Sequence, residues 1–214
     1  MLDKSCIDWY NLRNKIIKGV YMYSKIAKEN FDLACKYYVE AKSLIRDYTL
    51  FIKNISPDFS FEVAMGRFDL ILQSILIKVA ISDGYFLEEE REFIKNITNC
   101  ADIMGYLNYK GIDISWDSLT YNDDYSRKEL SKKILNEIID IIYEFVDMFA
   151  ILDYSSPIDY CSKLTKQIYF ICMALAFCDG DKKDSSSFRL EMSTAINYVT
   201  KLIEERWKQI SKSN

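Results

Sequence analysis

Two prolines, Pro57 and Pro157, and six glycines are all the strong backbone punctuation that 214 residues contain. A β-sandwich or barrel needs a turn signal about every 8 to 12 residues, most of them built on glycine or proline. A chain this poor in both has few places where a helix must stop, so the expected fold class is all-α. Half of the residues are apolar and 28% are charged, a balance that supports a packed core and argues against disorder.

The helical signal is strongest near the N-terminus. Val20, Ala27, Ala34, Ala41, Tyr48 and Ile55 recur every seven residues. Ile16, Tyr23, Tyr37, Leu44 and Phe51 fill the companion position, a row that Asn30 interrupts. This is the pattern of a narrow apolar seam on a helix of about 40 residues, roughly 60 Å long. Either the helix projects as a coiled-coil arm, able to join a second copy of the chain, or it breaks near Glu29-Asn30-Phe31-Asp32 into a hairpin. Residues 1–55 are therefore expected to form an N-terminal long helix or helix pair, followed by a helical domain over 56–214.

Further helices are expected from Pro57 or Ser60 to Asp83, from Glu88 toward Met104, from Ser126 through Phe149, from Pro157 to Asp179, and from Phe188 to Trp207 or beyond. Ser126 and Glu129 have the spacing of a capping box. Residues 105–125, with Gly111 and Asn122-Asp123-Asp124, read as a long inserted loop with a short extended piece near Ile112 to Trp116. Its aromatic residues Tyr106, Tyr109, Trp116 and Tyr121, set among Asp and Asn, are candidate partner-binding residues, because such rings combine large contact area with polar tips. The alternative is that they fold down over the helical core.

Function classes are narrowed mainly by what is missing. The chain has no histidine, which removes Ser-His and Cys-His nucleophile pairs and imidazole metal sites together. No P-loop, GxGxxG, GxSxG or HExxH pattern occurs, so an enzyme is not expected. Lys and Arg total 28 against 32 Asp and Glu, a net charge of -4 with both signs interspersed, which disfavours a nucleic-acid partner. Cys6, Cys35, Cys100, Cys161, Cys172 and Cys178 are dispersed without a CxxC pair and read as small core residues. The first 25 residues hold no signal-peptide pattern, and the longest apolar run, Ile168 to Cys178, falls well short of the roughly 20 residues that span a bilayer. The expectation is a cytoplasmic protein with no membrane span.

Two boundaries in the chain look alike. Ser56-Pro57 leads to Ala80-Ile81-Ser82-Asp83-Gly84, and Ser156-Pro157 leads to Ala176-Phe177-Cys178-Asp179-Gly180, so the two Ala-x-x-Asp-Gly endings stand 96 residues apart. The pattern predicts a helical bundle built from a duplicated helical hairpin. An EF-hand does not explain it: with Gly84 as the loop glycine, the first and third ligand positions fall on Val79 and Ile81, which carry no oxygen side chains.

The string ILIKVAISDGYFLEEER, residues 75–91, resembles the TerB-like tellurite-resistance domain family, in which an alanine-rich helix end is followed by Asp-Gly, a hydrophobic residue and a Glu-Glu-Arg-like helix start. Asp83, Gly84, Phe86, Glu89, Glu90 and Arg91 take those places here. The second copy, LAFCDGDKKD, keeps Asp179-Gly180 and lacks the paired glutamates. The resemblance spans about residues 57–104 and 157–205. It implies a non-enzymatic module of bacterial stress or tellurite resistance whose two acidic turns meet and hold a divalent cation, calcium or magnesium, through Asp83, Glu89, Glu90, Asp179 and Asp181, or engage a protein partner. The competing reading is that the Asp side chains only satisfy turn amides and the glutamates only cap a helix. The alternative function is a helical scaffold or oligomerisation protein with no metal site.

Overall fold

In a computed structural model, the described residues are 25–54, 56–98, 102–121, 123–155, 158–178 and 186–213. They form eight helices and no strand: α1 (Lys25–Lys53), α2 (Phe61–Ala80), α3 (Glu88–Ile97), α4 (Ile103–Tyr109), α5 (Trp116–Tyr121), α6 (Asp124–Ser155), α7 (Tyr160–Ala176) and α8 (Ser186–Ser213). The chain is an all-helical bundle.

Helix α1 runs unbroken through Glu29 to Asp32, so of the two alternatives for this segment the break into a hairpin there does not occur. Asn30, the residue that interrupts the seam, donates its side-chain amide to the carbonyls of Ile26, one turn back, and Phe177, at the end of α7 (3.1 and 2.9 Å). The polar interruption is thus a tether between helices. Ala27, Ala34, Ala41 and Tyr48 are all buried, and α1 makes its most extensive contact with α7 of the same chain. Small residues on the seam let two backbones approach closely. The described part of the seam is filled from within the chain, and α1 does not project as an arm. Residues 1–24 lie outside the described residues.

Helix α2 is the centre of the bundle. From Ile71 to Ala80 every residue is buried, and it packs against α6, α7 and α1. Ser60 caps it in an extended conformation, its hydroxyl accepting from the Val63 amide at 3.2 Å. Of the two expected starts, Pro57 and Ser60, the helix takes the second. Gly84, at φ 86°, takes the left-handed conformation that ends the turn after α2.

The stretch 105–125 is not a loop. It carries most of α4 and all of α5, and a glycine stands near each end of α4. The Gly105 amide donates to the capping carboxylate of Asp102 at 2.7 Å, and a Cβ at Gly105 would stand 2.0 Å from that carboxylate. Gly111, at φ 83°, closes the other end. Ile112 and Ile114 between the short helices are buried. Helix α3 stops at Ile97, short of the expected Met104. Helix α6 starts at Asp124; its cap is Asp123, which accepts from the Ser126 amide and hydroxyl (2.9 and 2.8 Å), while Glu129 pairs with Lys132. The Ser126 capping box therefore gives way to a cap three residues earlier.

The two expected hairpins share a long first helix, 20 residues in α2 and 17 in α7. Their second helices differ: α3 has 10 residues and α8 has 28. Residues 179–185 of the connection from α7 to α8, including Asp179, Gly180 and Asp181, lie outside the described residues.

Candidate functional site

The first acidic turn follows directly from α2. Asp83 is 1% exposed, and its carboxylate accepts from the Tyr85 amide at 2.8 Å. Glu90 is also 1% exposed and reaches back from the first turn of α3 to accept from the Leu87 amide at 2.8 Å. Glu88 meets Arg91 at 3.5 Å, and Arg91 also approaches Asp117 of α5 at 3.9 Å. Phe86 is buried and stacks on Trp116 with centroids 6.3 Å apart. Every residue of the motif for which a contact is given thus ties the turn to itself, to α5 or, through the Gly84 carbonyl, to α6.

Sequence inspection missed the group that completes this turn. Arg127, in the first turns of α6, is 7% exposed. Its Nε donates to the Gly84 carbonyl at 2.6 Å, and Nη1 donates to the carbonyls of Leu119 and Thr120 at 3.2 and 3.4 Å. The guanidinium joins the acidic turn, the end of α5 and α6, and it carries positive charge to the residue next to Asp83. Nothing in the local pattern marks Arg127: it stands beside Lys128 and reads as part of a solvated basic patch.

These contacts bear on whether a divalent cation fits. Calcium takes six to eight oxygen ligands and magnesium six. On the described side, Asp83 and Glu90 each commit an oxygen to a backbone amide, and Glu89 is half-buried. Among the described residues no group of three or more His, Cys, Asp or Glu side chains is arranged to hold a metal ion. The remaining candidate ligands, Asp179 and Asp181, lie outside the described residues. The donor set visible around Asp83 therefore does not fit a closed cation site.

The aromatic candidates divide. Trp116 lies half-buried on Phe86, with the Lys95 ammonium 5.2 Å from its ring centroid. Tyr109 is 85% exposed. The Tyr121 side chain lies outside the described residues. Tyr106 is half-buried, and its hydroxyl is buried with no hydrogen-bond partner. It lines a cleft of about 210 Å³ between α2, α4 and α6. Leu70 and Ile71 of α2 and Ile138 and Ile141 of α6 form the apolar part of the lining, with Arg67 and Glu144 on opposite helices at its edges. Burial, then the nearby carboxylates of Glu144 and Glu137, pushes the Tyr106 phenol above its ordinary range. The phenol therefore stays protonated and is available as a donor.

Two of the buried thiols are chemically quiet. Burial pushes Cys161 and Cys172 up to about 12, so neither supplies a thiolate near neutrality. Comparison with protein-family models, curated proteins and solved structures returns no match. No helix among the described residues is long and apolar enough to cross a membrane.

Proposed function

We propose that the chain is a non-enzymatic helical module that binds a protein partner on the face formed by α2, α4 and α6. The Tyr106 cleft carries this reading. A buried hydroxyl without a partner costs about 1 to 3 kcal/mol, and here it lines an open apolar cleft. Tyr109, almost fully exposed, projects from the same seven-residue helix. A flanking exposed aromatic beside an apolar cleft is the anatomy of an interaction surface. The resemblance of residues 75–91 to TerB-like domains supports a setting in bacterial stress or tellurite resistance, and the quiet thiols agree with a non-catalytic role.

The test is site-specific photocrosslinking of the full chain in the cells that express it. A photoreactive residue at Tyr109 should give a discrete protein adduct that Leu70→Glu abolishes and that the same probe at Tyr198 of α8 does not give. Absence of an adduct, or one indifferent to Leu70→Glu, would sink the proposal.

A second reading keeps the cation, and it rests on the resemblance alone. Thermal unfolding with and without calcium or magnesium decides it. A ligand at 1,000 times its dissociation constant stabilises by about 4 kcal/mol, so an unchanged transition removes the cation.

A further inference from the structure

The cleft has more chemistry on its rim than an apolar patch requires. On α6, Glu137 and Glu144 lie seven residues apart and flank Ile141, which lines the cleft. Both glutamates are exposed, and neither makes an ion pair among the described residues. Their charge is felt in the cleft, since both act on the Tyr106 phenol. Along α2, Gly66 precedes Leu70 by one turn, and a Cβ there would meet nothing within 4 Å. Val63, one residue short of another turn back, is 51% exposed. The cleft thus opens, beside Leu70, onto unobstructed helix surface at Gly66 and Val63, and the two together make one groove.

We infer that this groove receives a basic amphipathic helix of the partner protein, with one bulky aliphatic side chain in the Tyr106 cleft and lysine or arginine against Glu137 and Glu144. The inference rests on the partner-binding reading of this face and names the partner's chemistry. Size, charge and polarity agree. A cavity of roughly 150 Å³ takes benzene, so about 210 Å³ accommodates one large side chain and not a drug-sized molecule. Two unpaired carboxylates beside an apolar floor complement a cationic amphipathic face, the helix-in-groove mode of recognition. The protonated Tyr106 hydroxyl donates to a carbonyl or side-chain acceptor of the incoming segment. Arg67, on the opposite edge, adds a like charge that disfavours cations on the α2 side and so orients the helix.

The experiment is a fluorescence-anisotropy titration of the full chain with a labelled 18-residue amphipathic peptide, leucine on one face and lysine on the other. Two controls accompany it: the same peptide with glutamate for lysine, and with serine for leucine. The lysine-leucine peptide should bind, and both controls should bind at least tenfold more weakly. Glu137→Gln with Glu144→Gln should weaken binding at least tenfold, and Tyr106→Phe severalfold, while thermal melts show these variants folded. No binding of the lysine-leucine peptide at millimolar protein, equal binding of the glutamate peptide, or an indifferent double variant each overturns the inference. So does hexylamine displacing the peptide with equal affinity, which would mark a small-molecule site. An adduct at Tyr109 together with failure of the peptide leaves the partner-binding reading standing and removes only the basic helix.

Discussion

At the scale of single residues, the most consequential side chains are polar ones that join elements. Arg127 is the clearest: three backbone carbonyls from two segments depend on one guanidinium. Arg127→Met keeps much of the length and removes all three donors, leaving buried carbonyls of the turn and of α5 unsatisfied. The expected cost is about 2 to 4 kcal/mol, read by urea denaturation; a loss under about 0.5 kcal/mol would mean the turn holds without it. Asp153 is the corresponding joint at the other end of α6. Its carboxylate accepts from the amides of Tyr160 and Cys161 at the start of α7 and from the Trp207 indole of α8 at 2.9 Å. Burial nevertheless outweighs these bonds and holds its carboxyl above the ordinary range. For an acid with a raised folded value, the native state binds the proton more tightly than the unfolded chain. Its contribution is therefore complete at low pH and declines as pH rises through the folded value. The stability advantage of the natural chain over Asp153→Asn should be greatest below about pH 4 and shrink toward pH 7. Melts across that range check the sign, and an advantage that grows with pH contradicts it.

At the scale of elements, long helices were legible because their apolar residues recur over many turns, and short ones were not. The seam of α1 is plain in the spacing of Ala27, Ala34, Ala41 and Tyr48, and all four are buried. What spacing does not say is which surface covers a seam, since a second copy and α7 offer the same apolar face. Here α7 covers it. Ala34→Leu should therefore cost about 1 to 3 kcal/mol by overpacking the α1–α7 contact, whereas Lys36→Leu, on the exposed side, should change stability by less than about 0.5 kcal/mol. Equal effects in urea denaturation would place the seam at the surface. Helices α4 and α5 escaped notice for a different reason. At seven and six residues they are too short to show a period, and Gly105 and Gly111 read as breakers when one sits in the first turn of α4 and the other just beyond its end. The candidate site suffered the same way: Asp83, Gly84 and Glu90 were visible as a motif, but Arg127 comes from 43 residues away, and no local pattern reports a contact at that separation.

At the scale of the whole molecule, the question is whether residues before Ser56 form a removable arm or part of the body. One connected core draws Phe31, Tyr38, Ile45 and Tyr48 of α1 together with Phe68 and Leu72 of α2, Phe145 and Phe149 of α6, and Ile171 and Leu175 of α7. The rings confirm the mixing: Tyr48 stacks on Phe149 at 5.0 Å, Tyr37 on Phe170 at 4.7 Å, and Phe31 meets Phe93 of α3 edge-on at 5.5 Å. Tyr38 adds a buried hydrogen bond to Asp69 of α2 at 2.7 Å. Removing α1 would expose the facing side of α7 and leave Asp69 without this donor. Four large buried side chains at roughly 1.5 to 3 kcal/mol each amount to about 6 to 12 kcal/mol, which is the size of a typical domain's entire stability of about 5 to 15 kcal/mol. A chain beginning at Ser56 is therefore expected to lose its cooperative thermal transition and to bind a hydrophobic dye, not merely to lose an oligomerisation arm. If instead it melts cooperatively within a few degrees of the full chain, the helices after Ser56 close a core of their own. In that case the contacts of α1 with α7 would contribute little, and the Ala27–Tyr48 seam would be free to seek a second copy after all.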